Sequence, residues 1–495
     1  MTLDGLAAAL LVGAAIVLVS IVGARFAGRL GVPGLLLYLL LGLVLGASFP
    51  VFAFDDAQLA TVLGYSALVL ILAQGGLTTR LSQLRPVMWP ALTLATLGVL
   101  VSITVVAIPL VLLMDVAAQP AILIGAVLAA TDAAAVFAVM RRMRIGSRVR
   151  SLLEAEAGFN DAPVVVLVSV VASGSFGSDP WWLIPIIVAV ELVGGAAVGI
   201  AFGYSSAWLL RRIALPAVGL YPIAALALLV ASYGLADFIH VSGFMAVYVA
   251  AVLLGSAARL PHRRSIVGFA DGLSWIAEIG LFVMLGLLAS VSRLPAAVPM
   301  ALGVAVILVV LARPLAAIVS LAPYRWPRNA IAFASVAGLR GAVPIVFAAI
   351  PLAMGMPEAE MVFDVTLIVV LVLALVQTPA LPAIGRRLGV VLPEEAIELD
   401  VESAPLDGMH ASVLGIEIPA GSGFVGTFVS EIGLPEGAVV SLVIRGNTAL
   451  APDAHTRVRA GDRVLIVATE EARNATEERI RAVARGGRLA RWLKD

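Results

Sequence analysis

The chain has 495 residues, 61% of them hydrophobic and only 13% charged, with a mean hydropathy of +1.07. So few charged residues cannot coat several soluble domains, which excludes an ordinary soluble enzyme, a disordered chain and a nucleic-acid binder, and leaves a protein that crosses a membrane many times. A net charge of zero names no partner. The absence of Cys removes disulfides, thiolate zinc sites and Cys nucleophiles, and four scattered His residues do not suggest a metal cofactor.

The start, Met1-Thr2-Leu3-Asp4, lacks the basic stretch of a cleavable signal, so the first apolar run is expected to stay as a span. Thirteen apolar segments follow, at about 5–24, 33–49, 58–76, 88–114, 120–140, 150–174, 181–210, 218–238, 242–258, 266–290, 296–320, 329–352 and 361–385. Some joints are short, and a count of twelve is the alternative. With the N-terminus outside, the inside loops hold Arg25 and Arg29; Arg80 and Arg85; Arg141, Arg142, Arg144, Arg148 and Arg150; Arg211 and Arg212; Arg259, Arg263 and Arg264; Arg325 and Arg328; Arg386 and Arg387. The outside loops hold Arg293 alone, so the positive-inside rule supports thirteen spans and a cytoplasmic C-terminus. Trp181 and Trp182 open segment seven at the outer face, where interfacial aromatics belong.

Charges at membrane depth are costly, and each is a candidate for function. In segment five, Thr131-Asp132 falls mid-span. Asp132 fits an ion or proton site, a carboxylate capping a broken helix end, or both. Segment six reads Glu154-Ala155-Glu156-Ala157-Gly158-Phe159-Asn160-Asp161-Ala162-Pro163. Asp161 lies near the midplane. On a helix Glu156 and Asn160 share one face, and Glu154 shares another with Asp161, about 10 Å toward the cytoplasm. Pro163 leaves the carbonyl of residue 159 without its helical donor, and free carbonyls beside a carboxylate suit a desolvated monovalent cation. Segment twelve reads Gly338-Leu339-Arg340-Gly341-Ala342-Val343-Pro344, a deformable stretch around a buried Arg. Arg340 cannot shed its proton and is expected to pair with Glu156, with Glu278 of segment ten as a second carboxylate. Arg313 and Asp364 are placed near the inner and outer ends of their spans, where they can snorkel.

From about Leu392 the chain turns polar. A linker over 391–406 leads to a small α+β cytoplasmic domain over 407–485 and a tail over 486–495. Alternating runs at Ala411–Ile418, Val439–Ile444 and Asp462–Val467 predict strands, and Glu470–Val483 predicts a helix. No glycine-rich phosphate loop is visible; Gly421-Ser422-Gly423 is too slight to count.

Thr131-Asp132, then Glu156 to Asn160-Asp161, then Gly338-Leu339-Arg340-Gly341, resemble the monovalent cation:proton antiporters of the bacterial NhaP and animal sodium/proton exchanger branch, nearest to NhaP2-type potassium/proton antiporters. The resemblance covers about residues 5–390. The tail resembles the TrkA-C (RCK-C) regulatory domain of potassium-uptake proteins. The resemblance implies an all-α polytopic fold of thirteen helices in two inverted repeats, segments one to six and eight to thirteen, with five and twelve as the crossed, interrupted pair. It implies exchange of potassium or sodium for protons, with a monovalent cation at Asp161 and Asp132 and with Thr131 and Asn160 supplying oxygens or fixing carbonyls. Glu156, Arg340 and Glu278 would tie the core together, and Glu154 would shape an inner vestibule. It also implies a homodimer in lipid, in the bacterial inner membrane, with no catalytic residues, no nucleic-acid partner and no cofactor beyond an unknown, nucleotide-like ligand on the tail. Two positions depart from the family pattern: Ala157, where a Ser is frequent, and Gln74, where an acidic residue is frequent. A cation channel and a membrane sensor without transport are the rival functions. An intramembrane aspartyl protease would need a Gly-x-Gly-Asp setting that the chain lacks.

Overall fold

The computed structural model describes residues 3–30, 34–48, 54–143, 145–173, 183–257, 260–391, 401–406, 411–419, 421–446, 448–469 and 471–487. Trp181, Trp182, Arg144, Arg259, residues 392–400 of the linker and residues 488–495 of the tail lie outside them. The chain divides into two compact units, Met1–Val391 and Leu392–Asp495.

The first unit is helical. In lipid only internally bonded backbone is viable, and unbroken Leu, Ala and Val runs meet that need as helices. The helices are α1 (Leu3–Leu30), α2 (Gly34–Ser48), α3 (Ala57–Thr78), the single turn α4 (Leu81–Leu84), α5 (Met88–Met114), α6 (Ala118–Ala129), α7 (Ala133–Arg142), α8 (Ser147–Ala172) and α9 (Leu183–Arg212). Then come α10 (Leu220–Phe238), α11 (Gly243–Gly255), α12 (Arg263–Leu288), α13 (Leu294–Ile307), α14 (Arg313–Leu321), α15 (Arg328–Ala337), α16 (Ala342–Ala353) and α17 (Ala359–Arg387). Local capping sets several starts. Asp56 accepts from the Leu59 N–H at 2.8 Å to begin α3, and Ser242 accepts from the Met245 N–H at 3.3 Å to begin α11.

Length and hydropathy support eight membrane-crossing helices among the described residues, or nine when the bent pair α15 and α16 counts as one span. Shorter apolar helices include α2, α6 and α11. Helix α8 is almost wholly buried, whereas α9 is mostly exposed. Large apolar side chains face outward on the periphery, among them Leu11 at 73%, Leu113 at 81% and Val193 at 70% exposure. Water would not tolerate an apolar surface of that extent, and lipid does.

Segments five and twelve are each interrupted. Helix α6 ends at Ala129 and α7 begins at Ala133; α15 ends at Ala337 and α16 begins at Ala342, with a bend of 51°. The first break has neither Gly nor Pro, and it forms because Asp132 supplies the cap for the new helix. Helix α8, by contrast, runs continuously through Pro163.

The second unit holds a five-stranded antiparallel sheet of β1 (Val401–Leu406), β2 (Ala411–Glu417), β3 (Ala438–Arg445), β4 (Thr448–Leu450) and β5 (Asp462–Thr469), in the order β1-β2-β5-β3-β4. Helix α18 (Arg473–Gly486) follows, and Ile416, Val443, Ile466 and Ile480 are among its core side chains. Residues 401–406, expected in the linker, form edge strand β1 instead. Pro405 is tolerated there because an edge strand has N–H positions that need no partner.

Arg445 and Asp462 face each other across β3 and β5. The guanidinium donates to both carboxylate oxygens at 2.8 Å, and the Arg459 N–H adds a third bond at 2.8 Å. These bonds hold the buried Asp462 carboxyl below the usual carboxylate range, with Arg445 the main cause. A depressed value means that stability is full above the unfolded carboxylate range and is lost as pH falls through the folded value. Arg445→Ala is expected to cost about 2 kcal/mol at pH 7, or roughly thirty-fold faster hydrogen exchange of β3 and β5 amides in the full chain. After correction for intrinsic exchange, the gap to wild type is expected to close on acidification below about pH 4. A gap that persists there would show that the bond is not the cause.

Candidate functional site

The two interrupted segments meet at their breaks. The Asp132 N–H donates to the Leu339 carbonyl at 3.0 Å. The Asp132 carboxylate accepts from two helix starts: Ala135 N–H of α7 at 3.2 Å and Ala342 N–H of α16 at 2.7 Å. One negative charge thus serves the positive ends of two half-helices. Of the two readings open for Asp132, the cap is realised in this geometry. A Cβ at position 341 would lie 2.0 Å from Asp132 Oδ2, so only glycine lets the two segments approach this closely.

Arg340 does the reverse. Its Nε donates to the Leu128 carbonyl at 3.0 Å, and Nη1 donates to the Gly338 carbonyl. Gln377 of α17 adds bonds to the carbonyls of Val336 and Gly338. A positive charge therefore sits at the negative ends of α6 and α15. The expected pair of Glu156 with Arg340 is replaced. Glu156 takes a two-pronged bond from Arg313, at 2.6 and 3.3 Å, and Arg313 also donates to the Ala334 carbonyl at 3.2 Å. Arg340 lies inside a break whose free carbonyls are within its own reach, while Arg313 reaches Glu156 from α14. A π-helical turn at Leu308–Ala312 precedes Arg313 and sets its direction. Arg313 and Asp364 are accordingly buried, not snorkelling; Asp364 takes a bond from Arg293 at 2.9 Å.

Asn160 of α8 donates from Nδ2 to Thr131 Oγ1 at 2.6 Å, joining α8 to the first break. Next to it, Asp161 is buried with both carboxylate oxygens lacking a hydrogen bond among the described residues, as is the Asn160 Oδ1. Asp132 is near enough to act on Asp161 electrostatically. Tyr248 of α11 seals one side: its ring stacks edge-on against Phe159, and a Cβ at Gly158 would lie 2.4 Å from it. The structure thus gathers Thr131, Asp132, Asn160 and Asp161 around the junction, with Glu156 and Arg340 beside it. Glu278 is buried on α12 near Tyr38 of α2. Glu154 is bound to Arg150 at 2.8 Å, one helical turn away. Gln74 donates to Asp271 at 3.1 Å, joining α3 to α12.

Sequence reasoning missed the roles of Arg313, Gln377 and Tyr248. An Arg-Pro pair inside an apolar run was the available signal for Arg313; a lone amide and a lone Tyr carried none. The chemistry of the junction is plain. The oxygens of Asp161 and Asn160 without a hydrogen bond among the described residues are hard donors of the kind that can coordinate a monovalent cation, and the Asp161 carboxylate can instead take a proton; they lie beside helix ends capped by Asp132 and Arg340.

Residues 15–387 match the family model described as sodium/hydrogen exchanger, transmembrane, and residues 413–481 match the TrkA-C domain. The chain is 32% identical over 489 residues to the K(+)/H(+) antiporter NhaP2 of Shewanella sp. (strain MR-4), covering 96% of this chain and 83% of that relative. It is 36% identical over 385 residues to the K(+)/H(+) antiporter NhaP of Alkalimonas amylolytica, covering 77% and 66%. The solved sodium proton antiporter MjNhaP1 from Methanocaldococcus jannaschii shares the fold, with a TM-score of 0.67 at 24% identity, covering 77% of this chain and 99% of that one.

Proposed function

Because the chain belongs to the sodium/hydrogen exchanger family, we propose that it is a secondary transporter that exchanges a monovalent cation for protons at Asp161. The observation that carries this reading is a buried carboxylate with neither oxygen hydrogen-bonded among the described residues, set against two capped helix breaks. One carboxylate holds a proton or a cation, never both, and that competition is exchange. Asn160 beside Asp161 leaves one titrating group, so each crossing of the loaded site carries the same charge and exchange is electroneutral, one for one. Thr131, fixed by Asn160, and Asp132 shape the site; Glu156 with Arg313 holds α8 to α14.

Potassium is the favoured cation. The support is the joined TrkA-C domain and the relatives matched over nearly the whole of this chain, which are named potassium/proton antiporters. The second unit regulates transport. The membrane unit has thirteen spans in two inverted repeats, a reading supported by breaks at matching places in segments five and twelve. Loop arginines support an outer N-terminus and a cytoplasmic C-terminus in a bacterial inner membrane, and a homodimer is what the family resemblance implies. The test is proton movement in proteoliposomes of the full chain under imposed outward potassium or sodium gradients. Potassium is expected to drive protons and sodium to do so less. Absence of proton movement with both ions would overturn the reading.

A further inference from the structure

Away from the junction, a cavity of about 460 Å³ opens between the α3–α4 turn and the α11–α12 turn, and three arginines, Arg80, Arg85 and Arg263, line it together with Ser82 and Ser256. None of its lining residues is acidic. The Arg80 and Arg85 guanidinium groups have no ion pair or hydrogen bond among the described residues, and Arg263 spends only its Nε, on the Gly255 carbonyl at 3.1 Å. Arg80 and Arg263 are near enough to repel each other. By contrast, Arg150, Arg293, Arg313 and Arg445 each hold a carboxylate. Three like charges around one open space, with most of their donors unspent, favour the entry of an anion.

We propose that this cavity binds a phosphate-bearing anion, gripped by Arg80, Arg85 and Arg263. Planar guanidinium forks match phosphate oxygens two at a time, and the serine hydroxyls offer further donors. The level of the cavity suits a membrane lipid headgroup. Trp89, four residues beyond Arg85 on α5, is 65% exposed, as an interfacial aromatic would be. A soluble phosphate ester presents the same chemistry from the water side. Occupancy would clamp the start of α12 to the end of α3, next to the Gln74–Asp271 bond that already joins those helices. Binding here does not depend on ion exchange, so binding is what the test reads.

The full chain in detergent is titrated with phosphatidylglycerol, phosphatidylcholine or glycerol phosphate, with native mass spectrometry and the melting temperature as readouts. Phosphatidylglycerol is expected to bind and to raise the melting temperature, and Arg80→Gln with Arg85→Gln is expected to weaken it about tenfold or more. Arg386→Gln with Arg387→Gln, also basic but outside the cavity, should leave it unchanged. Glycerol phosphate acting as well as the lipid would assign a soluble ester; the lipid acting alone would assign a headgroup. Arg85 is exposed on a short turn, so Arg85→Gln alone gives a folded variant should the double one fail. Absence of binding by the wild type, or equal binding by the cavity variants, would overturn the proposal.

Discussion

Asp161→Asn is expected to reduce cation-driven proton movement to the level of empty vesicles while leaving the protein folded. The substitution keeps shape and burial and removes the only property that exchange requires, a group that trades a proton for a cation. Its fold consequence runs the other way from most core changes. Asp161 has no hydrogen bond to lose among the described residues, and an ionised carboxylate there is desolvated without a partner. Neutralising it should leave the melting temperature unchanged or raise it. A variant that unfolds would mean that Asp161 is a structural partner, and one that still exchanges would move the site elsewhere. Asp132→Asn should behave differently. Its carboxylate joins the starts of α7 and α16, so its loss costs stability as well as transport.

Arg313→Ala is expected to produce the largest loss of stability of any single change in the membrane unit. Both partners of the Arg313–Glu156 pair are buried, and removing one strands the other's charge, at a cost of about 3–5 kcal/mol. Arg313→Ala together with Glu156→Gln removes both charges and should recover most of that loss. The readout is the fraction of folded dimer or monomer surviving a temperature series in detergent, analysed as a double-mutant cycle. The alternative, Arg340 as the true partner of Glu156, makes the opposite forecast. Glu156→Gln would then rescue Arg340→Ala and leave Arg313→Ala unrescued.

Much of the architecture was legible in the chain because lipid imposes a simple rule. Apolar runs become helices, and polar residues inside them are exceptions with a reason. Asp132 and Asp161 stood out on that basis, and the family resemblance added Thr131 and Asn160; the four lie together in the structure. What stayed hidden depended on direction. Arg313 looked like a snorkelling residue because its depth was counted along a regular helix, whereas a π-helical turn at 308–312 precedes it and aims it inward. The break at Ala130–Asp132 carries no Gly or Pro, so composition does not mark it; the family resemblance implied it, and the capping geometry shows what makes it. In the second unit, alternation disclosed β2, β3 and β5. Edge strand β1 contains Pro405, and β4 has three residues, too few for a period to show.

The most direct test of the central claim is to count protons released when the cation binds. Purified protein in weakly buffered detergent is mixed with potassium, and released protons are compared with bound cations. If Asp161 holds either one or the other, about one proton leaves per cation bound, and Asp161→Asn neither binds nor releases. Potassium bound without proton release, or undiminished release from Asp161→Asn, would contradict a shared site at this carboxylate.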